Sequence, residues 1–146
     1  MIDLDNQTDL KIDLSKLETI ADTLSNADVE LIITNDETMQ SLNSEYRGKT
    51  SSTDVLSFPL ETPFTEQSVF RMPLGSIVIA NSYVIKKAQE LGHTIQDELS
   101  LLFIHGMLHL LGFDHETDEG EMRQKEEAII SQFDLPKSLI VRTEIN

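Results

Sequence analysis

Residues 105–115 read His-Gly-Met-Leu-His-Leu-Leu-Gly-Phe-Asp-His, and the rest of the chain is organised around this stretch. It holds three of the four histidines in the sequence. His105 and His109 are four residues apart, so on a helix their side chains lie on one face, about 40° apart. Two imidazoles in that arrangement can bind one metal ion. Gly112 can take the left-handed backbone conformation that ends a helix, and such a turn would bring His115 back towards the same ion.

Three nitrogen ligands favour zinc, although another divalent transition metal such as nickel or copper can occupy such a site. Three protein ligands leave a fourth position open, which distinguishes a catalytic zinc site from a structural one. The alternative is that two histidines are hydrogen-bonded core residues and the third lies on the surface. We favour the metal site, because the surrounding helix is otherwise apolar and burying three imidazoles is costly.

The spacing His-x-x-x-His-x-x-Gly-x-x-His is that of the metzincin peptidases. In those enzymes a glutamate follows the first histidine and acts as the general base on the water bound to the metal. Here that position is Gly106. The sequence therefore keeps the peptidase's metal ligands and lacks its base. Either another group activates the nucleophile, or the protein breaks a different kind of bond.

The length of 146 residues predicts a single domain, 1–146, in which 137–146 form a partly ordered tail. The 11 Lys and Arg residues against 26 Asp and Glu residues give a net charge of −15, which argues against broad coating of nucleic acid or anionic membrane. Because there is no cysteine, disulfides and thiolate ligands are excluded. No signal peptide is visible, and the apolar run 99–113 is shorter than the ~20 residues that span a bilayer. We expect a cytoplasmic protein with no membrane partner.

Hydrophobic patterning predicts an α+β fold, with a single mixed β-sheet of about four strands packed with about five helices. The metal site is expected on a buried central helix and the turn after it. The predicted strands are 2–4 with an extension at 10–12, 29–34, 53–58 and 74–80, the last two pairing antiparallel. The predicted helices are 14–24, one from a cap at Asn35 or Asp36 to Gly48, 81–91, the apolar helix that begins after Thr94, and 118–133.

Two helices have an inner face that can be predicted from apolar spacing. The helix that ends at Gly48 is expected to bury Met39, Leu42 and Tyr46. The last helix is expected to bury Met122, Ala128, Ile129 and Phe133. The acids in and before the last helix are interpreted as a solvated face: Glu116, Asp118, Glu119, Glu121, Glu126 and Glu127.

Several single residues have two interpretations. Arg47, at a helix end, is either favoured by the helix dipole or functional. Lys49 is either an exposed loop lysine or a phosphate contact. Asp114 either orients a ligand imidazole or caps the turn. Ser57 is not predicted to be a nucleophile, because no free histidine with a carboxylate accompanies it, and His93 is expected to be exposed to solvent.

The histidine stretch resembles the signature of the YbeY family, bacterial metal-dependent endoribonucleases of ribosomal RNA maturation. Residues 42–49 resemble the family's Leu-Asn-x-x-Tyr-Arg-x-Lys segment, and residues 53–59 and 74–75 resemble its two central strands. Together these matches cover most of the chain. The sequence departs from the family at Ser76, where members usually have an acid, so any orienting role of that acid must come from another group here.

The resemblance implies one zinc ion per chain held by His105, His109 and His115, a catalytic Arg47, and substrate contacts by Arg47 and Lys49. It also implies a single-strand-specific endoribonuclease acting in 16S rRNA 3′-end maturation and ribosome quality control, with RNA and not DNA as its partner. The chemistry is sensible, because a guanidinium can hold a phosphate by two hydrogen bonds while a divalent metal ion acts on the phosphodiester. Either water or the ribose 2′-hydroxyl can be the nucleophile.

Two other functions stay open. A zinc peptidase-like hydrolase fits the ligand spacing, although Gly106 counts against it. A ribosome-assembly binding protein with a structural zinc fits the net charge of −15, since a nuclease is usually more basic. If the substrate is RNA, we expect most of five basic residues to line one groove leading to the metal, with the acidic helix 118–133 facing away: Arg47, Lys49, Arg71, Lys86 and Lys87.

Overall fold

One mixed sheet with helices packed on it makes up the computed structural model, which describes residues 1–49, 53–59, 73–114 and 116–136. In these ranges the strands are β1 (Ile2–Asn6), β2 (Val29–Thr34), β3 (Val55–Pro59) and β4 (Gly75–Ala80). The helices are α1 (Leu14–Leu24), α2 (Asp36–Arg47), α3 (Asn81–Leu91), α4 (Ile95–Leu110) and α5 (Glu121–Gln132). The predicted α+β class, with four strands and five helices in the described ranges, is confirmed.

The strands are ordered β1-β2-β4-β3. β1 pairs with β2 and β2 pairs with β4 in parallel, whereas β3 pairs antiparallel with β4, as predicted. Within the described sheet β3 is therefore an edge strand. An edge strand tolerates Pro59 at its end, because proline lacks the N–H that an inner strand would need there.

The two faces of the sheet pack against different helices. Along β4, Ile77 and Ile79 join the main core with α1, α4 and α5, whereas Val78 and Ala80 join a smaller cluster with α2. α4 is buried almost all round, which suits a helix that is apolar on every side. Its first turn is capped by the Thr94 hydroxyl, which accepts the N–H of Asp97 at 3.0 Å. The predicted buried central helix is confirmed.

Some predicted boundaries are wrong for local reasons. Residues 10–12 are not a strand but part of the connection before α1, with Leu10 buried in the core. α5 begins at Glu121 and not at 118, because the Asp118 carboxylate accepts the N–H groups of Gly120 and Met122 and shapes a turn before the helix. β3 begins two residues later than predicted.

Tyr46 and Ala128 were predicted to be buried and His93 to be exposed, and these three predictions are wrong as well. Tyr46 is 61% exposed, because it reaches only the edge strand and no further described strand covers it. Ala128 is exposed on α5. His93 is largely buried, and its Nε2 lies 2.8 Å from Oε1 of Glu98, a fully buried carboxylate that needs a polar partner.

In the described parts of the chain, no helix combines the length and the apolar character needed to cross a bilayer. The expected tail, 137–146, lies outside the described residues and stays a prediction.

Candidate metal centre

The last two turns of α4 bring two histidine rings of the motif together. The Nε2 atoms of His105 and His109 are 3.2 Å apart, and the rings meet edge to face with centroids 4.7 Å apart. This follows from the four-residue spacing, which stacks the two side chains on one face of the helix. What the pair can bind depends on which ring nitrogens carry protons.

The Nδ1 atom of His109 lies 3.1 Å from the carbonyl oxygen of Phe113. A carbonyl oxygen only accepts hydrogen bonds, so Nδ1 must carry the proton and donate it. In the neutral ring, Nε2 then presents its lone pair.

The Nδ1 atom of His105 lies 3.1 Å from Oε2 of Glu126, whose side chain is 1% exposed. An ionised carboxylate also only accepts, so this ring has the same tautomer, with the lone pair on Nε2. Both described imidazoles are therefore oriented through Nδ1 and aim Nε2 at the same point.

Two nitrogen lone pairs at 3.2 Å repel each other unless a positive charge lies between them. Two nitrogens bound to one tetrahedral zinc at ~2.0–2.1 Å are themselves about 3.3–3.4 Å apart. The observed separation and tautomers therefore fit a divalent transition metal with imidazole ligands.

The turn after α4 fixes the second of these tautomers. The N–H of Phe113 bonds to the carbonyl of Leu108 and the N–H of Gly112 bonds to that of His109, both at 3.0 Å, which is a Schellman motif. Gly112 has a φ of +100°, a conformation that other residues rarely adopt. This turn brings the Phe113 carbonyl to the His109 ring.

His115 lies outside the described residues, so its part in the site stays a prediction. Among the residues that the structure describes, no group of three His, Cys, Asp or Glu side chains is arranged to hold a metal ion. The described part of the motif contributes two nitrogen donors, His105 and His109.

Gly106 lacks a side chain because α4 packs closely on β4. A Cβ atom at this position would lie 2.9 Å from Cγ2 of Ile77, a separation that real Cβ contacts do not show. A glutamate here would be driven into the sheet, so the peptidase base has no room. Close packing of α4 on β4 explains the glycine.

We expect Gly106→Ala to destabilise the protein by up to about 2 kcal/mol. Overpacking costs ~1–3 kcal/mol, which outweighs the gain of ~1 kcal/mol from replacing glycine in a helix. Chemical denaturation of the metal-free protein measures the change. In an Ile77→Ala background the same substitution should become stabilising, and a loss of stability there would contradict the steric explanation.

A cleft of 480 Å³ opens beside the two histidines. Its described walls come from the end of α2, from β3, and from the end of α4 with the turn that follows: Arg47, Asp54, Val55, Ser57, Pro59, His105, His109, Gly112, Phe113, Asp114 and Glu116. Among these residues Arg47 is the only strong base, against three carboxylic acids. Among the described walls, a phosphate in this cleft would have one guanidinium to bind.

The prediction that most of five basic residues line one groove leading to the metal is wrong for the described residues. Lys49, Lys86 and Lys87 do not line the cleft, and Lys87 instead pairs with Glu90 on its own helix at 3.3 Å. Arg71 lies outside the described residues. Helix α5 does not simply face away either, since Glu126 points inward to the metal helix.

Asp114 and Ser57 line the cleft in supporting roles. The Asp114 carboxylate accepts the N–H of Glu116 at 3.1 Å, which is the turn-capping alternative. The Ser57 hydroxyl donates to the carbonyl of Gly106 at 3.3 Å and so links β3 to α4. Ser76, where the family that the sequence resembles usually has an acid, donates to Glu30 at 2.7 Å and lies on the sheet face opposite α4, away from the histidines.

Glu126 is the residue that the sequence interpretation assigned to a solvated face and that the structure buries against His105. One signal was available: Glu126 lies four residues after Met122 and three before Ile129, on the buried stripe of α5. A carboxylate on an apolar stripe needs a polar partner inside the protein. The orienting group therefore comes from α5 and not from β4.

We expect Glu126→Gln to weaken zinc binding about 10- to 100-fold, because groups that orient a ligand imidazole typically contribute that much to metal affinity. The amide keeps the shape and loses the charge that holds the Nδ1 proton. Competition with a chromogenic chelator measures the dissociation constant. Glu127→Gln, an exposed neighbour on the same helix, is the matched control, and equal affinity of the two variants would contradict the role of Glu126.

The chain is similar in sequence to proteins of one known family. The family model described as Endoribonuclease YbeY matches residues 3–134. The Endoribonuclease YbeY of Sulfurovum sp. (strain NBC37-1) is 64% identical over 144 residues, covering 99% of this chain and 98% of the relative. That of Helicobacter pylori (strain J99) is 50% identical over 145 residues, covering 99% of each.

The fold is also similar to a solved structure. The solution structure of TM1509 from Thermotoga maritima superposes with a TM-score of 0.57 at 28% identity, covering 92% of each chain. With a family model that spans nearly all the described residues and relatives that are 50% and 64% identical, this chain belongs to the YbeY endoribonuclease family.

Proposed function

We propose that the protein is a metal-dependent endoribonuclease that cleaves single-stranded RNA in the cleft beside α4. One divalent transition metal ion, zinc by preference, is held by His105, His109 and His115. The observation that carries the proposal is the convergence of two oriented Nε2 atoms in the same cleft as Arg47. The family's endoribonucleases supply the reaction class.

When bound, the metal supplies Lewis-acid chemistry, polarising a phosphoryl oxygen or making a hydroxyl group more acidic. The chain's own residues do the rest. His105 donates its Nδ1 proton to the Glu126 carboxylate, and His109 donates its Nδ1 proton to the Phe113 carbonyl. The Nε2 lone pairs of both rings therefore stay available to a metal ion. Arg47 binds the phosphate through the planar guanidinium fork and stabilises the charge that develops on it.

The acidic walls of the cleft make the binding of RNA depend on a bound cation. The described walls carry three carboxylic acids, Asp54, Asp114 and Glu116, against the one guanidinium of Arg47, so without a cation their net charge opposes the entry of a phosphate. A divalent ion at the histidines reverses this balance locally. RNA binding, and not only RNA cleavage, therefore depends on the metal.

We further propose that the substrate is ribosomal RNA, cleaved near the 3′ end of 16S rRNA, and that the protein works in the cytoplasm as one domain. The motif residues that resemble the family support this assignment. Lys49, two residues after Arg47 and exposed, contacts the substrate outside the cleft. DNA is not a substrate.

The test is a purified, metal-quantified sample incubated with single-stranded RNA, duplex RNA, single-stranded DNA and casein, with and without chelator. We expect cleavage of single-stranded RNA alone, loss of cleavage with chelator, and recovery on adding zinc. Metal-loaded protein that cleaves no RNA would favour the ribosome-assembly binding protein instead. Cleavage of casein would favour the peptidase, which Gly106 disfavours by leaving no room for a base.

A further inference from the structure

Tyr46 stands out on the described surface. Of the large hydrophobic side chains that the structure describes as exposed, it is the only aromatic one, and 61% of it is accessible to solvent. An aromatic ring that stays exposed at a helix end buries little apolar surface and so contributes little to the stability of the fold. Its position relative to the cleft suggests a use.

The Tyr46 ring packs edge to face on Phe58, with centroids 5.2 Å apart and planes at 69°. Both residues are neighbours of the cleft wall along the chain. Arg47 follows Tyr46, and Phe58 lies between Ser57 and Pro59, all three of which line the cleft. Because side chains alternate along a strand, Phe58 and the Tyr46 ring lie on the α2 side of the edge strand β3, whereas Ser57 and Pro59 line the cleft on the other side. The ring is therefore just outside the cleft, next in the chain to Arg47, which reaches the cleft at this edge.

We propose that Tyr46 is a stacking platform for an unpaired base next to the phosphate that Arg47 binds; this inference rests on the proposed function. Stacking on an aromatic ring needs no positive charge, so it contributes affinity that the acidic cleft cannot supply. Every base has a π-face, so the contact tolerates different sequences. A base inside a duplex is already stacked and paired, which makes this platform a source of single-strand preference.

The contact with Phe58 makes the platform effective. A tyrosine side chain has few rotatable bonds, and packing on Phe58 restricts them further, so little conformational entropy is lost when a base stacks on it. Phe58 is itself held by the smaller core cluster on the α2 side of the sheet. The Tyr46 ring is thus held in place by Phe58 and leaves most of its surface accessible to solvent.

The experiment measures initial rates of cleavage by zinc-loaded protein on a single-stranded RNA oligonucleotide, intact or with one abasic site at successive positions. We expect Tyr46→Ala to lower kcat/KM about 5- to 150-fold on intact RNA, mainly through KM. Tyr46→Phe keeps the ring and should stay near wild type. One abasic position should abolish the difference between wild type and Tyr46→Ala, because the stacking partner is then missing.

The matched control is Leu91→Ala, which removes a side chain that is 47% exposed at the end of α3, outside the cleft. Tyr46→Leu serves as a second variant that keeps bulk against Phe58 without an aromatic face. If wild type cleaves RNA and Tyr46→Ala and Tyr46→Leu cleave it equally well, the platform is overturned while the proposed function stands. The same holds if the defect of these two variants persists at every abasic position. If wild type cleaves no RNA, the proposed function fails and the platform with it.

Discussion

His109→Ala should release the metal and lower the melting temperature to that of chelator-treated wild type. The substitution removes one of the two converging Nε2 atoms, and a metal bound only to the native state stabilises that state by mass action. At a thousandfold excess over the dissociation constant this amounts to about 4 kcal/mol. For a chain of this size the corresponding shift is about 8–16 °C. Elemental analysis and thermal melts with and without chelator measure both effects.

His93→Gln is the matched control, because it changes the histidine outside the motif and keeps a donor for Glu98. It should bind metal as wild type does. His115→Ala should also lose metal, which tests the third ligand independently. Wild-type protein that holds well under one equivalent of metal and melts at the same temperature with chelator would contradict the site.

Arg47→Lys should lower the rate of RNA cleavage about 100- to 1000-fold, the effect of removing one preorganised donor from a developing oxyanion. Lysine keeps the charge but loses the planar fork that holds a phosphate by two hydrogen bonds. Arg47 is exposed at the end of α2, on a different element from the two described histidines, so metal content and melting temperature should not change. Single-turnover cleavage with metal-loaded protein isolates the chemical step.

Arg123→Lys on α5 is the control for this substitution, since Arg123 pairs with Glu127 outside the cleft at 3.4 Å. It should cleave RNA at the wild-type rate. A wild-type rate for Arg47→Lys as well would mean that Arg47 acts as a charge only, or does not touch the phosphate.

Local features of this protein follow from the sequence by itself. The α4 cap at Thr94, the stacked positions of His105 and His109, and the left-handed turn at Gly112 each depend on residues within about five positions of one another. Such features follow from helix geometry, which repeats along the chain whatever packs around it. The antiparallel pairing of β3 with β4 was also predicted, from two strand segments that follow one another in the sequence, 53–58 and 74–80.

The tertiary structure decided what those local features face. Glu126 reaches His105 across 21 positions, and only the docking of α5 on α4 turns an acid of a charged helix into the group that orients a ligand. Gly106 is required because Ile77 of β4 lies where its side chain would be. Tyr46 is exposed because β3 ends the described sheet. Periodicity gives the direction of a side chain relative to its own element, whereas burial and contact depend on which element packs there, and that is set by the whole core at once.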